Sequence, residues 1–229
     1  MIAILVAAGS SRRMGFDKLM ADLNGKPVAA HSLIAFQECA SVERIVLVTR
    51  EDRVAEFQEL GKTYKISKLK SVVAGGSERH LSVWNGIQAG KAELSDYVAV
   101  HDAARPLITP AAIEACLALA RRHGAAACAQ PVTDTLKRAT VDGFVTGSVE
   151  RDHLWAMQTP QVFLASVLRH AYTQLLRTSE AVTDEVSAVQ KLGVSVFLLR
   201  NEEPNFKITV PRDLDLARLV LTSRGGGAL

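Results

Sequence analysis

Four short clusters in this chain carry residue types suited to phosphate and nucleotide chemistry. The first is Ala7-Ala8-Gly9-Ser10-Ser11-Arg12-Arg13-Met14, running on to Asp17-Lys18 straight after the apolar run Ile2–Val6. Small residues let backbone N–H groups approach a ligand closely, and Arg13 and Lys18 add fixed positive charge, a combination that suits a polyphosphate. The loop is neither a Walker A sequence nor GxGxxG. On local chemistry alone, an ordinary strand-to-helix turn with solvated arginines explains it equally well. The second cluster is Gly75-Gly76-Ser77-Glu78-Arg79, whose paired glycines expose backbone groups able to read the edge of a flat base. Ser82 follows one helical turn beyond Glu78, and a capped glycine turn is the alternative.

The third cluster, His101-Asp102-Ala103-Ala104-Arg105-Pro106, is more specific. Asp102 can accept a hydroxyl hydrogen bond or help hold Mg²⁺, and Arg105 can grip a phosphate through two N–H groups. An Asp–Arg salt bridge stiffening the loop is the competing account. His101 reads as a packed strand-end residue. The fourth is Asn205-Phe206-Lys207-Ile208-Thr209, where a lysine flanked by apolar residues is a better catalytic candidate than dispersed surface lysines, with snorkelling as the alternative. Thr183-Asp184-Glu185 reads as a helix N-cap with first-turn acids. The other histidines lack metal-ligand spacing such as HExxH, and no Ser-His-Asp arrangement stands out.

These clusters need a scaffold, and the apolar pattern supplies one. Strands are predicted at Ile2–Val6, Arg44–Thr49, Ser71–Ala74, Tyr97–His101, Ala125–Gln130 and Val194–Leu199. They are continuous apolar runs, as expected for parallel strands covered on both faces. Helices are predicted at Pro27–Cys39, Glu78–Ala89, Ala111–Arg122, Leu164–Leu176, Thr183–Leu192 and Pro211–Leu221. The third is the clearest, with Thr109 as N-cap, Pro110 in the first turn and Gly124 as the stop. Alternating strands and helices imply right-handed crossovers and an open α/β sheet, whose ligands bind beyond the carboxyl ends of the strands. All four clusters fall at such ends. One segment breaks the pattern: Asp142-Gly143 between strand-like runs signals a β-hairpin inserted within Pro131–Gln158, which either covers the site or embraces a partner subunit.

Composition narrows the class. Hydrophobic residues make up 48%, enough for a sizeable core. Lys plus Arg is 27 against 24 Asp plus Glu, a net +3 that does not suggest a nucleic-acid partner. Cys39, Cys116 and Cys128 are odd in number and widely spaced, which fits core packing in a reducing cytoplasm. No secretory leader and no membrane span are expected.

Taken in order, AAGxxRRM with Lys18, Gly75-Gly76-x-Glu78-Arg79, His101-Asp102-Ala103-Ala104-Arg105-Pro106, Asp134-Thr135-Leu136-Lys137, Gln158-Thr159-Pro160-Gln161, Thr183-Asp184-Glu185 and Asn205-x-Lys207 resemble the 2-C-methyl-D-erythritol 4-phosphate cytidylyltransferase family. The resemblance runs from about Ile2 to Leu221. It implies a Rossmann-like nucleotidyltransferase α/β sheet, mostly parallel, with helices on both faces and an inserted β-hairpin arm. One nucleotidyltransferase domain is then expected over 1–229, with a dimerisation arm at about 132–157 and no fused cyclase domain. The resemblance further implies CTP and methylerythritol phosphate as substrates, Mg²⁺ as cofactor, a homodimer through the arm, and no nucleic-acid or membrane partner.

By position, Ala7, Ala8 and Gly9 would lie against the nucleotide, Gly76 and Ser82 would face cytosine, and Asp102 and Ala103 the ribose side. Arg13 and Lys18 would hold the triphosphate. Arg105, Thr159 and Lys207 would line the acceptor site, which Thr135 and Arg151 would reach from the partner's arm. Arg13, Lys18 and Lys207 are the implied catalytic groups, and Asp102 the implied metal contact beside the CTP phosphates. Family members often carry Pro before the loop lysine; Asp17 here puts a carboxylate next to Lys18. The alternatives are a cytidylyltransferase for another polyol phosphate, such as ribitol 5-phosphate, and a non-catalytic nucleotide-sensing protein on the same fold.

Overall fold

The structure, a computed structural model, describes residues 1–9, 14–178 and 180–225. The chain begins with β1 (Ile2–Val6), buried on both faces. The short strands β2 (Asp22–Leu23) and β3 (Lys26–Pro27) form a tight hairpin. Asn24 and Gly25 turn it with φ of 52° and 81°, the positive values a two-residue turn of this kind demands. Then come α1 (Val28–Glu38), β4 (Arg44–Thr49), a 3₁₀ turn at Glu51–Arg53, α2 (Val54–Thr63) and β5 (Leu69–Ala74). After α3 (Arg79–Gly90) and β6 (Tyr97–Asp102), α4 (Pro110–His123) leads to β7 (Ala125–Pro131). The second half holds β8 (Leu136–Ala139), β9 (Val145–Val149), β10 (Trp155–Leu164), α5 (Ala165–Thr178), α6 (Glu185–Gln190), β11 (Phe197–Arg200) and α7 (Arg212–Gly225).

Seven strands make one sheet in the order β11-β7-β10-β6-β1-β4-β5. β1 lies at its centre, parallel to β4 and β6, with Ile2 level with both Arg44 and Val98. Side chains of β1 alternate between the two faces, as the pleat requires. Ala3 and Leu5 pack with Leu33 and Phe36 of α1, Phe57 of α2, and Ile113 and Leu117 of α4. Ile2 and Ile4 pack with Val83 and Ile87 of α3, Leu168 and Tyr172 of α5, and Val189 of α6. A smaller cluster seats α7 through Leu214 and Ala217 on Met14, Leu107 and Ile208. Gly86 lets α3 lie close on the sheet: a Cβ there would come within 2.5 Å of Ile4 Cγ2 and 2.9 Å of Val48 Cγ2. That close seating fixes the height of the helix start above β1, where the Gly75-Gly76 turn enters.

The mostly parallel sheet with helices on both faces agrees with expectation, and the predicted bounds of β1 and β4 match those observed. Four elements depart from it most. β10 was not foreseen; it runs antiparallel between β6 and β7. A proline within a run argues against a central strand because it cannot donate to the ladder. The structure accommodates Pro160 at a break in register between Met157 and Gln161. The helix α2 was also unforeseen, its apolar face being confined to Phe57, Leu60 and its flanks. The last strand starts at Phe197, not Val194, and the helix after Thr183 shortens to Glu185–Gln190.

The inserted segment forms the expected hairpin of β8 and β9. Gly143 has φ 88°, and Thr140 N–H donates to the Phe144 carbonyl at 2.9 Å. The hairpin stands apart from the main sheet and leaves Val141, Phe144 and Val145 exposed. Cys39, Cys116 and Cys128 are buried and free of disulfides. Burial, reinforced by the neighbouring Glu114 carboxylate, pushes the Cys39 thiol up to about 11, so it stays protonated and packs as a small apolar side chain. Among the described residues, no helix is long and apolar enough to cross a membrane.

Candidate active site

A cavity of about 630 Å³ opens beyond the carboxyl ends of β1 and β6. The chain winds from β1 outward to β4 and β5, then returns to place β6 on the other side of β1. That reversal splays the loops after the two strands and leaves a crevice between them. Ala7, Ala8 and Gly9 after β1 line it, with Lys18 and Leu19. Gly76, Ser77, Glu78, Arg79 and Ser82 enter from the start of α3, Asp102 and Ala104 from the end of β6, and Lys207 and Thr209 from the segment before α7.

The wall under the Gly75-Gly76 turn is tightly built. Ser82 Oγ accepts the Gly76 N–H at 3.1 Å and donates to the Glu78 carbonyl at 3.1 Å. A Cβ on Gly75 would meet Ser82 Oγ at 2.5 Å and Ala8 Cβ at 2.9 Å, and one on Gly76 would meet Leu81 Cβ at 2.4 Å. The two glycines therefore let the turn close over Ala8, so that the first loop and the second loop share one surface. Opposite, Lys18 Nζ donates to the Ile208 carbonyl at 2.8 Å, which ties the first loop to the Lys207 segment. Asp17 turns away from this lysine: one carboxylate oxygen accepts the Leu19 N–H and the other pairs with Arg53. Arg53 is itself held over the Phe57 ring and against Glu56. The Asp17 charge is thus largely taken up on the side of α2.

Asp102 is the electrostatic centre of the site. It is buried, yet three cations surround it: Lys207 Nζ at 2.9 Å, Arg79 at 3.5 Å and Arg105 Nε at 3.7 Å. Burial alone would raise its carboxyl; Lys207, Arg79 and Arg105 together overcome that and hold it well below the usual carboxylate range. Its backbone N–H donates to Thr159 Oγ1 at 3.1 Å, and that hydroxyl meets His101 Nδ1 at 2.9 Å. The His101 ring is fully buried beside Phe36, with Nε2 3.2 Å from the Arg105 carbonyl. Burial lowers its pKa to about 4, Asp102 opposing this only in part. A neutral ring locked between two partners is a packing residue, as its sequence position suggested.

The sequence-predicted residues fall in three places. Ala7, Ala8, Gly9, Lys18, Gly76, Ser82, Asp102 and Lys207 meet at the cavity. Ala103, Arg105 and Thr159 lie one layer behind. Ala103 is fully buried, with its N–H on the Val6 carbonyl. Arg105 donates to the carbonyls of Asn205, at 2.8 Å, and Met157. Its Nε is buried without a hydrogen-bond partner. Thr135 and Arg151 stand on the hairpin, where Arg151 donates to the Thr133 carbonyl. Arg13 lies outside the described residues.

Two acidic and basic groups acquire partners that sequence reasoning missed. Arg79, at the cavity wall, makes a fork contact with Glu185, at 2.6 and 3.1 Å, in addition to its contact with Asp102. Glu185 is fully buried and also accepts the Tyr172 hydroxyl at 3.0 Å. Its neighbour Asp184 does act as the helix cap, accepting the Ser187 N–H at 3.0 Å. A buried amide network of Gln158, Asn201 and Asn205 anchors the segment that carries Lys207.

The arrangement resembles known proteins throughout its length. A profile of the 2-C-methyl-D-erythritol 4-phosphate cytidylyltransferase family (IspD) matches residues 1–223. A protein of that name from Dehalococcoides mccartyi is 40% identical over 222 residues, 96% of this chain and 95% of the relative. One from Bacillus licheniformis is 40% identical over 220 residues, covering 95% and 94%. The crystal structure of the Thermus thermophilus protein of the same name superposes with a TM-score of 0.79 at 29% identity, over 96% of this chain and 98% of that one. The 4-diphosphocytidyl-2C-methyl-D-erythritol synthase of Anaerococcus prevotii gives 0.82 at 26% identity, over 96% and 95%. With the cavity at the strand reversal and the ordered loops around it, these likenesses establish that the chain belongs to the 2-C-methyl-D-erythritol 4-phosphate cytidylyltransferase family.

Proposed function

We infer that the protein transfers CMP from CTP to 2-C-methyl-D-erythritol 4-phosphate, giving the 4-diphosphocytidyl alcohol and pyrophosphate in the non-mevalonate isoprenoid pathway. The observation that carries the residue assignments is the convergence of Lys18, Lys207 and Asp102 on one cavity floored by Ala7–Gly9 and Gly76. A phosphate oxygen of the acceptor attacks the α-phosphorus of CTP, and the bond to the pyrophosphate oxygen breaks on the opposite side. The attacking group is already an anion, so no strong base is required. The protein must instead bring two anions together and stabilise charge growing on the α-phosphoryl oxygens, which is work for placed cations.

In this reading Ala8 and Gly9 present backbone N–H groups to the phosphates, Ala7 lies against the nucleotide with its own N–H on the Val48 carbonyl, and Lys18 and Arg13 add charge. Gly76 and Ser82 set the base wall. Asp102, beside Ala103, accepts the ribose hydroxyls. Lys207 leaves Asp102 for phosphate when substrate enters. Arg105 and Thr159, behind Asp102, complete the acceptor side, and Arg105 Nε, 3.7 Å from Asp102 and without a hydrogen bond, is a donor in reserve there.

Among the described residues no group of three or more His, Cys, Asp and Glu side chains could hold a metal by itself. The Asp102 carboxylate lining the cavity fits Mg²⁺ bound through one carboxylate and substrate phosphates. Asp102 would be the protein contact, with CTP holding most of the ion, and the ion would neutralise phosphate charge. The exposed hairpin, carrying Val141 and Phe144, would pair with its copy in a homodimer and bring Thr135 and Arg151 to the partner's acceptor site.

Pyrophosphate release from CTP with each of two acceptors, methylerythritol phosphate and ribitol 5-phosphate, tests the reading. Turnover with the former is expected. Preference for the latter would reassign the acceptor, and CTP binding without turnover would indicate a sensor. Lys18→Ala and Lys207→Ala should each lower kcat/KM by about a hundredfold, the usual effect of losing one preorganised charge-stabilising group.

A further inference from the structure

The contact between Arg79 and Glu185 joins two elements 106 residues apart in sequence, and nothing in the reaction as derived uses it. Glu185 opens α6 and is fully buried. Tyr172, on α5, is buried beside it, with its ring stacked on Trp84 of α3 at 6.4 Å and 7° between planes. Its hydroxyl shares Oε1 of the Glu185 carboxylate with Arg79 Nη1, and Arg79 Nη2 takes Oε2. Arg79 therefore does not move freely. One nitrogen, Nη2, reaches both Glu185 Oε2 and, at 3.5 Å, Asp102 Oδ1, while the opposite Asp102 oxygen holds Lys207.

Of the three cations around Asp102, the two that hydrogen-bond it thus differ in kind. Lys207 has a flexible stem, and its ammonium can turn to a phosphate. Arg79 is fixed by a buried carboxylate that cannot be left unpaired without large cost. We propose that Glu185 and Tyr172 are positioning residues that lock Arg79 as the standing counter-charge of Asp102, so that Asp102 stays in place for the nucleotide's sugar when Lys207 turns to phosphate. This rests on the reading of the cavity as a CTP site. Without the lock, Asp102 would lose the hydrogen-bonded partner that remains when Lys207 departs, leaving only Arg105, whose Nε lies 3.7 Å away without a hydrogen bond.

The test is CTP affinity by calorimetry, without acceptor, at pH 7.5. Arg79→Lys keeps a cation for Glu185 but cannot fork to Asp102 as well. It should fold and bind CTP about tenfold more weakly, the usual scale for one lost charged hydrogen bond. The double variant Arg79→Met with Glu185→Met removes both charges together and avoids an unpaired buried ion; it should show the same weakening. Tyr172→Phe should lie between it and the wild type. A purely structural pair would lower the urea midpoint of the double variant and leave CTP affinity unchanged in the folded protein. Wild-type affinity in whichever of Arg79→Lys and the double variant folds would overturn the proposal. Failure of the wild type to bind CTP at all would overturn the cavity assignment instead.

Discussion

We predict that acidification destabilises the fold through one buried imidazole, His101. Its Nε2–H donates to the Arg105 carbonyl at 3.2 Å, and its Nδ1 accepts the Thr159 hydroxyl at 2.9 Å. That hydroxyl oxygen already accepts the Asp102 N–H at 3.1 Å. Protonating Nδ1 would bury a charge and strand the Thr159 proton without an acceptor. The sign follows from the shift, 6.5 for a solvated histidine to about 4 in the fold. Above pH 6.5 the ring is neutral in both states and contributes no pH dependence. Between 6.5 and 4 the unfolded chain binds a proton that the folded chain refuses, so stability falls as pH falls, and the loss is complete below 4. A shift from 6.5 to about 4 is about 2.5 units, which at about 1.4 kcal/mol each makes about 3 kcal/mol. For a chain of this size that corresponds to about 6–12 °C in Tm.

The assay is urea unfolding of the wild type and His101→Gln at pH 7, 5.5 and 4. Glutamine offers a donor and an acceptor without titrating. The carboxylates and His31 titrate in both proteins, so they cancel in the difference. The stability gap favouring the wild type at pH 7 should narrow by about 3 kcal/mol by pH 4. Parallel curves across the three pH values would refute the reasoning, because the buried neutral ring would then not be what refuses the proton.

Two further outcomes follow from the site and the arm. Gly75→Ala should raise KM for CTP by about tenfold or more and lower stability by about 1–3 kcal/mol, since its Cβ meets Ser82 Oγ at 2.5 Å and Ala8 Cβ at 2.9 Å; steady-state kinetics of the folded variant with unchanged KM would count against that wall as the base site. Lys18→Ala and Arg151→Ala, each inactive as a homodimer, should regain activity when co-expressed, because one site of the heterodimer combines an intact Lys18 loop with an intact Arg151 from the other chain. Purified heterodimers as inactive as either parent would place Arg151 in its own subunit's chemistry or in none.

The sequence made the parallel strands legible because their apolar runs are short, continuous and bounded by turn residues. α4 was legible because Thr109, Pro110 and Gly124 mark its ends, and Thr109 Oγ1 does accept the Ala112 N–H at 3.2 Å. β10 was not, because Gln158, Thr159, Pro160 and Gln161 read as a polar loop. Their side chains are buried by partners from elsewhere: Thr159 by His101, and Gln161 by Asp184 and Val186. At the site, the loop residues could be picked out by type and by their position at strand ends. Glu185 could not. An acid in the first turn of a helix looks the same in one dimension whether it faces water or an arginine across the fold. The effect of Asp17 was hidden for the same reason, its carboxylate being claimed by Arg53 from 36 residues away.

The strand order also divides the labour of the chain. On one side of the β1–β6 crevice stand β4 and β5, which lead to the Gly75-Gly76 turn; on the other stand β10, β7 and β11, which carry Thr159, the hairpin and the approach to Lys207. On the proposed reading, the base wall is therefore encoded before Asp102, and most of the acceptor side after it. Such a seam lets the two preferences drift apart over evolutionary time. Substitutions in the later half can retune the acceptor pocket while the base wall stays as it is, with Asp102 as the hinge of inheritance that neither half can change alone.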